Sequence, residues 1–125
     1  MKSVLMIDDD AILLRTVGVR LKSLGYTVHT AMDAVTAISM ARKSQPDVVV
    51  LDISMPGGSG FTVAQRLKNM QSLSACAIIF ITASEDGALD QEVARFGVEG
   101  FLRKPFSAEE LSHAIESATG AERGA

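Results

Sequence analysis

Along the chain, short apolar runs alternate with segments whose apolar residues recur every three or four positions. The run SVLMI, residues 3 to 7, reads as a strand, and residues 11 to 24 then place Leu14, Val17, Leu21 and Leu24 at helical spacing, with Gly25 as the stop. YTVHTA, residues 26 to 31, predicts a second strand. Asp33 is positioned to cap a helix with Ala34, Ala37, Ile38 and Ala41 inward, ending before Pro46. DVVVLD, residues 47 to 52, is apolar on both faces, which marks a central strand covered on both sides. Beyond the turn-like SMPGGSG, a helix with Phe61, Ala64 and Leu67 inward precedes the strand AIIFIT at 77 to 82. A helix turning Leu89, Val93 and Phe96 inward follows, closed by Gly97, and GFLRK is a short fifth strand. Ser107 and Glu110 have the spacing of a capping box for a last helix whose inner face is Leu111, Ile115 and Ala118. Residues 120–125 have no periodicity and read as a flexible tail on a domain spanning 1–119.

Five strand and helix pairs in strict alternation predict an α/β fold: a single doubly wound five-stranded parallel sheet flanked by five helices, with right-handed crossovers. In such sheets ligands sit outside the carboxyl ends of the strands. The residues that reach that rim are Asp8 and Asp9 after the first strand, Asp52 after the third, Thr82 after the fourth and Lys104 after the fifth. All are polar, and the pattern alone selects them.

Composition narrows the function classes. A chain of 125 residues, 47% hydrophobic, can bury one domain's core without staples. The net charge of −3, with Lys and Arg scattered, argues against a nucleic-acid surface on this chain alone. The sequence offers neither a transmembrane span nor a signal peptide, and the single cysteine, Cys76, reads as a small buried hydrophobe. The expected location is cytoplasmic, away from membranes.

Charge makes MIDDDA, residues 6 to 11, the difficult stretch. Two like charges about 4 Å apart cost roughly 4 kcal/mol at an effective dielectric of about 20, so crowded carboxylates need a cation among them. Asp8, Asp9 and Asp52 supply −3, and a divalent ion with Lys104 supplies +3. Carboxylate oxygens suit a hard ion, and Mg²⁺ is the usual choice where phosphate is handled. A carboxylate can attack phosphorus to give an aspartyl phosphate. Asp52, ending the central strand apart from the Asp8 and Asp9 pair, is the best nucleophile. The Lys104 ammonium and the Thr82 hydroxyl are then placed to neutralise the phosphoryl oxygens.

IDDD, VLDISMPGGSGF, IFITA and GFLRKPF, in this order and spacing, resemble the receiver domain of two-component response regulators over residues 3 to about 118. The resemblance implies a flavodoxin-like fold with strand order 2-1-3-4-5. It implies that Asp8 and Asp9 form the acidic metal pair, Asp52 is the phosphoacceptor, the Ser54 backbone carbonyl is a metal ligand, Thr82 and Phe101 are the switch residues, and Lys104 binds phosphate. Pro105 would follow a cis bond. It further implies a sensor histidine kinase or histidine phosphotransfer protein as donor, and a downstream effector reached through the face of the fourth helix, fifth strand and fifth helix. The chain would be a signalling switch with self-catalysed phosphorylation and dephosphorylation, turning over no separate substrate. Two positions depart from the family pattern: Ser59 stands where Asp is frequent, and Phe101 where Tyr is commoner, which removes a hydroxyl from the switch. Asp10 is expected either to cap the first helix or to support the metal-binding acids from behind, and not to bind the metal itself.

A haloacid-dehalogenase-like phosphatase is the alternative from another class, with Asp8 as nucleophile and Asp10 as acid. That reading leaves Asp52 idle and lacks a further acidic strand after Lys104. A degenerate receiver used only for binding would not retain every reactive group.

Overall fold

The structure, a computed structural model, describes residues 2–55 and 60–120. Its elements in chain order are β1 (Ser3–Ile7), α1 (Ala11–Ser23), β2 (Thr27–Ala31), α2 (Ala34–Ser44), β3 (Val48–Asp52), α3 (Gly60–Lys68), a short 3₁₀ turn (Gln71–Leu73), β4 (Ala77–Thr82), α4 (Gly87–Phe96), β5 (Gly100–Arg103) and α5 (Ala108–Ala118). The strands are all parallel, in the order β2-β1-β3-β4-β5. Both the doubly wound sheet and its strand order agree with the expectation. The peptide bond between Lys104 and Pro105 is cis.

Strand side chains alternate between two cores. Leu5, Ile7, Val49, Leu51, Ile78 and Phe80 pack under α2, α3 and α4, while Val4, Met6, Val48, Val50, Ile79 and Ile81 pack under α1 and α5. All five residues of β3 and all six of β4 are buried, as continuous apolar runs in a two-sided sheet require. On the first side, Phe61, Phe80 and Phe96 form an aromatic cluster, with centroids 5.1 to 5.9 Å apart.

Caps fix where the helices begin. Asp10 accepts the Ile12 and Leu13 N–H groups, Asp33 accepts that of Thr36, and Ser107 with Glu110 makes the reciprocal capping box. Gly25 and Gly97, both at positive φ, close α1 and α4. One side chain departs from the periodicity: the spacing turns Leu24 inward, but it is 40% exposed. It lies past the last buried turn as the C-cap of α1, its N–H turned back to the carbonyls of Arg20 and Leu21, while the Gly25 N–H reaches that of Lys22. The 3₁₀ turn has no counterpart in the sequence pattern; it buries Leu73 on the way from α3 to β4.

The turn glycines Gly57 and Gly58, the Ser59 position and the tail beyond Gly120 lie outside the described residues. Among the described residues, no helix is long and apolar enough to cross a membrane.

Cys76 is half-buried against the α2–α3–α4 core. Burial, helped by the nearby charges of Glu99 and Asp47, pushes its thiol up to about 12. At pH 8 roughly one such thiol in ten thousand is ionised, and the thiolate is the nucleophile. Iodoacetamide should therefore leave the native protein almost unlabelled at pH 8 and label it fully in urea, read by intact mass. Equal labelling rates in the two states would contradict this account.

Candidate functional site

Parallel strands end on the same side, and the chain places its acids there. Asp8 follows β1, Asp52 closes β3, Thr82 closes β4 and Lys104 follows β5. Asp8, Asp9 and Asp52 each direct one carboxylate oxygen into a group in which all three lie within 4.8 Å of one another. Asp8 and Asp52 are buried and Asp9 is exposed, so the acidic group opens to solvent through Asp9.

Local backbone contacts hold these carboxylates in place. The Asp8 N–H donates to the Ala31 carbonyl, and Asp8 Oδ1 accepts the Asp10 N–H at 2.9 Å. Asp52 Oδ1 accepts the Ser54 N–H at 2.8 Å. Behind Asp52, Gly60 packs so closely that an added Cβ would fall 2.5 Å from Ile53 Cα and 2.8 Å from the Asp52 carbonyl oxygen. Only glycine allows α3 to start against the end of the central strand.

Lys104 is the cation of the site. Its Nζ lies 2.7 Å from Asp8 Oδ2 and 3.3 Å from Asp52 Oδ2. Burial pushes the Asp8 carboxyl above its ordinary value; the contact with Lys104 and the Asp10 N–H pull it back, and the neighbouring Asp52 charge raises it again. For Lys104, burial works against the charged form, but the contact with Asp8 and the charges of Asp52 and Asp8 win, and its ammonium is held above the usual range. One ammonium against three carboxylates leaves two negative charges on the rim. Asp8 Oδ2 is sealed from solvent and, beyond its ion-pair contact, has no hydrogen-bond partner. An unfilled buried acceptor beside two further carboxylates is a donor set that fits a hard divalent cation such as Mg²⁺.

Thr82 is fully buried, and its Oγ1 meets the acidic group indirectly: it lies 3.3 Å from Ser54 Oγ and accepts the Ser84 N–H at 3.0 Å. Phe101 stands in β5 opposite Phe80, half-buried on the α2–α3–α4 core and apart from the carboxylates. Ser54 Oγ and the Arg103 guanidinium, which donates to the Ser84 carbonyl at 2.9 Å, are contacts that no sequence pattern signals.

The chain matches the description "Response regulator receiver domain" over residues 4–116. It belongs to that family. The resemblance stated from the motifs is therefore correct, and the domain is a receiver of two-component signalling. Among curated relatives, the DNA-binding dual master transcriptional regulator RpaA of Synechocystis sp. is 34% identical over 113 residues, covering 89% of this chain and 46% of its own length. The receiver thus spans less than half of that relative. Among solved structures, the chemotaxis response regulator CheY4 of Vibrio cholerae is similar with a TM-score of 0.86 and 30% identity, over 94% of this chain and 98% of that one. The receiver domain of sensor histidine kinase PA1611 from Pseudomonas aeruginosa, which has a magnesium ion coordinated in its active site cleft, is similar in fold, with a TM-score of 0.84 and 23% identity over 95% of this chain and 98% of that one. The phosphatase alternative finds no support. Its proposed acid, Asp10, spends its carboxylate on capping α1.

Because burial dominates at Asp8, the native receiver binds a proton there that the unfolded chain has released, over the pH range beginning near 3.8. Stability falls as pH rises wherever the native state holds more protons. In buffers free of divalent cations, the stability of wild type relative to Asp8→Asn should fall as pH rises above 3.8 and then level off, measured by urea unfolding. A difference that grows with pH would refute the assignment.

Proposed function

We propose that this receiver accepts a phosphoryl group on Asp52 from a phosphohistidine of a sensor histidine kinase or histidine phosphotransfer protein, and that residues 1–119 form the switching unit. The observation that carries the reading is Asp52 at the end of the central strand, facing the Lys104 ammonium at 3.3 Å inside an acidic group with unfilled acceptor capacity. Asp8, Asp9, Asp52 and the Ser54 backbone carbonyl would hold Mg²⁺. When bound, the ion supplies positive charge against the phosphoryl oxygens.

In the chemical step, an Asp52 carboxylate oxygen bonds to phosphorus as the P–N bond to the donor imidazole breaks. The imidazole nitrogen keeps the electron pair and is protonated from solvent. Lys104 stabilises the charge that gathers on the transferring group. It already lies between Asp8 and Asp52, so little reorganisation is needed. The Thr82 hydroxyl is the remaining donor, and in the resting chain it is engaged with Ser54 and Ser84. Catalysis is the receiver's own, in both phosphorylation and dephosphorylation, and the protein is a switch in the cytoplasm.

Drawing the Thr82 hydroxyl toward the phosphoryl group changes the space beside β5, into which the Phe101 ring can turn. Full burial of a phenylalanine contributes roughly 1.5 to 3 kcal/mol, while moving a two-state equilibrium from 1:99 to 99:1 takes about 5.5 kcal/mol. Contacts of the phosphoryl group with Thr82 and Lys104 supply the remainder. The signal leaves through the face of α4, β5 and α5 to a downstream effector.

Incubation with a small acyl phosphate and Mg²⁺ should add the mass of one phosphoryl group to wild type and nothing to Asp52→Asn. Labelling of that variant at the wild-type rate would sink the reading. Thr82→Ala should still be labelled but show much smaller phosphorylation-dependent amide shifts at residues 86–106 by NMR. Shifts as large as in wild type would rule out Thr82 as the coupling group.

A further inference from the structure

Arg103 touches three parts of the receiver that the switch would have to move. Its Nε–H donates to the Ser84 carbonyl at 2.9 Å. Its Nη2 pairs with Asp90, in the first turn of α4, at 2.5 Å. Its Cζ stands 5.3 Å from the centroid of the Phe101 ring, two residues away on the same face of β5. Arg103 and Thr82 are also register partners across the β4–β5 ladder. Ser84 therefore gives its N–H to the Thr82 hydroxyl and its carbonyl to the guanidinium, and lies between the two.

We propose that Arg103 is a positioning residue of the resting state, a clamp that ties the segment after β4 and the first turn of α4 over Phe101 and so opposes conversion to the phosphorylated form. The inference rests on Asp52 as phosphoacceptor and Thr82 as the coupling group. Pulling the Thr82 hydroxyl toward a phosphoryl group displaces the Ser84 N–H that it accepts. The same peptide segment carries the carbonyl held by Arg103, so the guanidinium must let go or be dragged from Asp90 and from the ring. Contacts made in one state and lost in the other bias the equilibrium by their difference alone. A lysine could keep the charge toward Asp90 but not the planar fork that serves two partners in different directions.

The clamp lies at the surface, with the Arg103 and Asp90 side chains 37% and 49% exposed, so each contact is weak. Its removal should change the equilibrium by a modest factor of about three. By reciprocity, the same factor applies to the binding of a phosphoryl mimic.

Wild type, Arg103→Ala, Arg103→Lys and Asp90→Asn should be compared by amide NMR, first without ligand and then titrated with beryllofluoride and Mg²⁺. In the unliganded Arg103→Ala protein, the amides of residues 84–100 should lie displaced along the line that joins the free and beryllofluoride-bound positions of wild type. Its beryllofluoride affinity should be about threefold tighter, with Arg103→Lys and Asp90→Asn between it and wild type. Loss of a merely structural contact would lower the melting temperature without moving amides toward the bound positions. Unliganded amides that stay at the wild-type positions or leave that line, or an affinity equal to or weaker than wild type, would overturn the clamp. If the alanine variant does not fold, the same two readouts on Asp90→Asn decide between the clamp and its absence. A wild type that itself fails to bind beryllofluoride would instead remove Asp52 as phosphoacceptor, and the clamp with it.

Discussion

Everything at the rim depends on the shared position of Lys104 between Asp8 and Asp52. Two buried carboxylates at the ends of neighbouring strands repel one another, and taking any of these charges out of water is costly. The ammonium, 2.7 Å from one and 3.3 Å from the other, offsets that cost without removing it. Breaking a buried pair by deleting one partner typically costs about 3–5 kcal/mol, a large part of a small domain's net stability. The pair persists because both carboxylates also accept backbone N–H groups, from Asp10 and Ser54, which fix their direction. What remains is an excess of negative charge and a buried acceptor, Asp8 Oδ2, whose one contact is the ion pair, a donor set that fits a hard cation.

The two cores make this balance possible. Strand β3 is buried from end to end and β1 from Val4 to Ile7, so the carboxyl ends cannot slide or splay to relieve the repulsion. Gly60 adds a second restraint, since α3 begins in van der Waals contact with the backbone that carries Asp52. The rim is rigid where the charges sit. Among the described residues, it opens to solvent at Asp9 and Asp10 and along the segment that follows β4.

Most of the fold is legible in the sequence because two periods, two and about 3.6, state which face each element buries. Strand β4 agrees residue for residue with its apolar run, and the caps at Asp10, Asp33 and Ser107 follow from side-chain chemistry that acts within three residues. Leu24 escapes the pattern because periodicity does not record where a helix ends, and the turn at Gln71–Leu73 is too short to carry a period of its own. In the site, Asp8, Asp9, Asp52, Thr82 and Lys104 can be found because parallel strands bring their ends to one edge. The Ser54–Thr82 contact and the reach of Arg103 cannot, because they depend on rotamers and on distances across 28 and 19 positions of chain. Local pattern carries no such information.

The two helices of the proposed output face are anchored very differently, and on that proposal this decides which of them can answer the rim. Helix α5 buries Ala108, Leu111, Ile115 and Ala118, and its far end is tied down where Glu116 accepts the Tyr26 hydroxyl at 2.6 Å and pairs with Lys2 at 2.7 Å. Helix α4 buries only Val93 fully. Few buried apolar contacts mean a low free energy for local displacement. Helix α4 is also the one joined to Thr82 through the short segment that holds Ser84, whereas α5 follows the lysine, which is already held between two carboxylates. If Thr82 is the coupling group as proposed, a change there would reach α4 first and with least resistance, with α5 as the fixed wall against which α4 and Phe101 would shift.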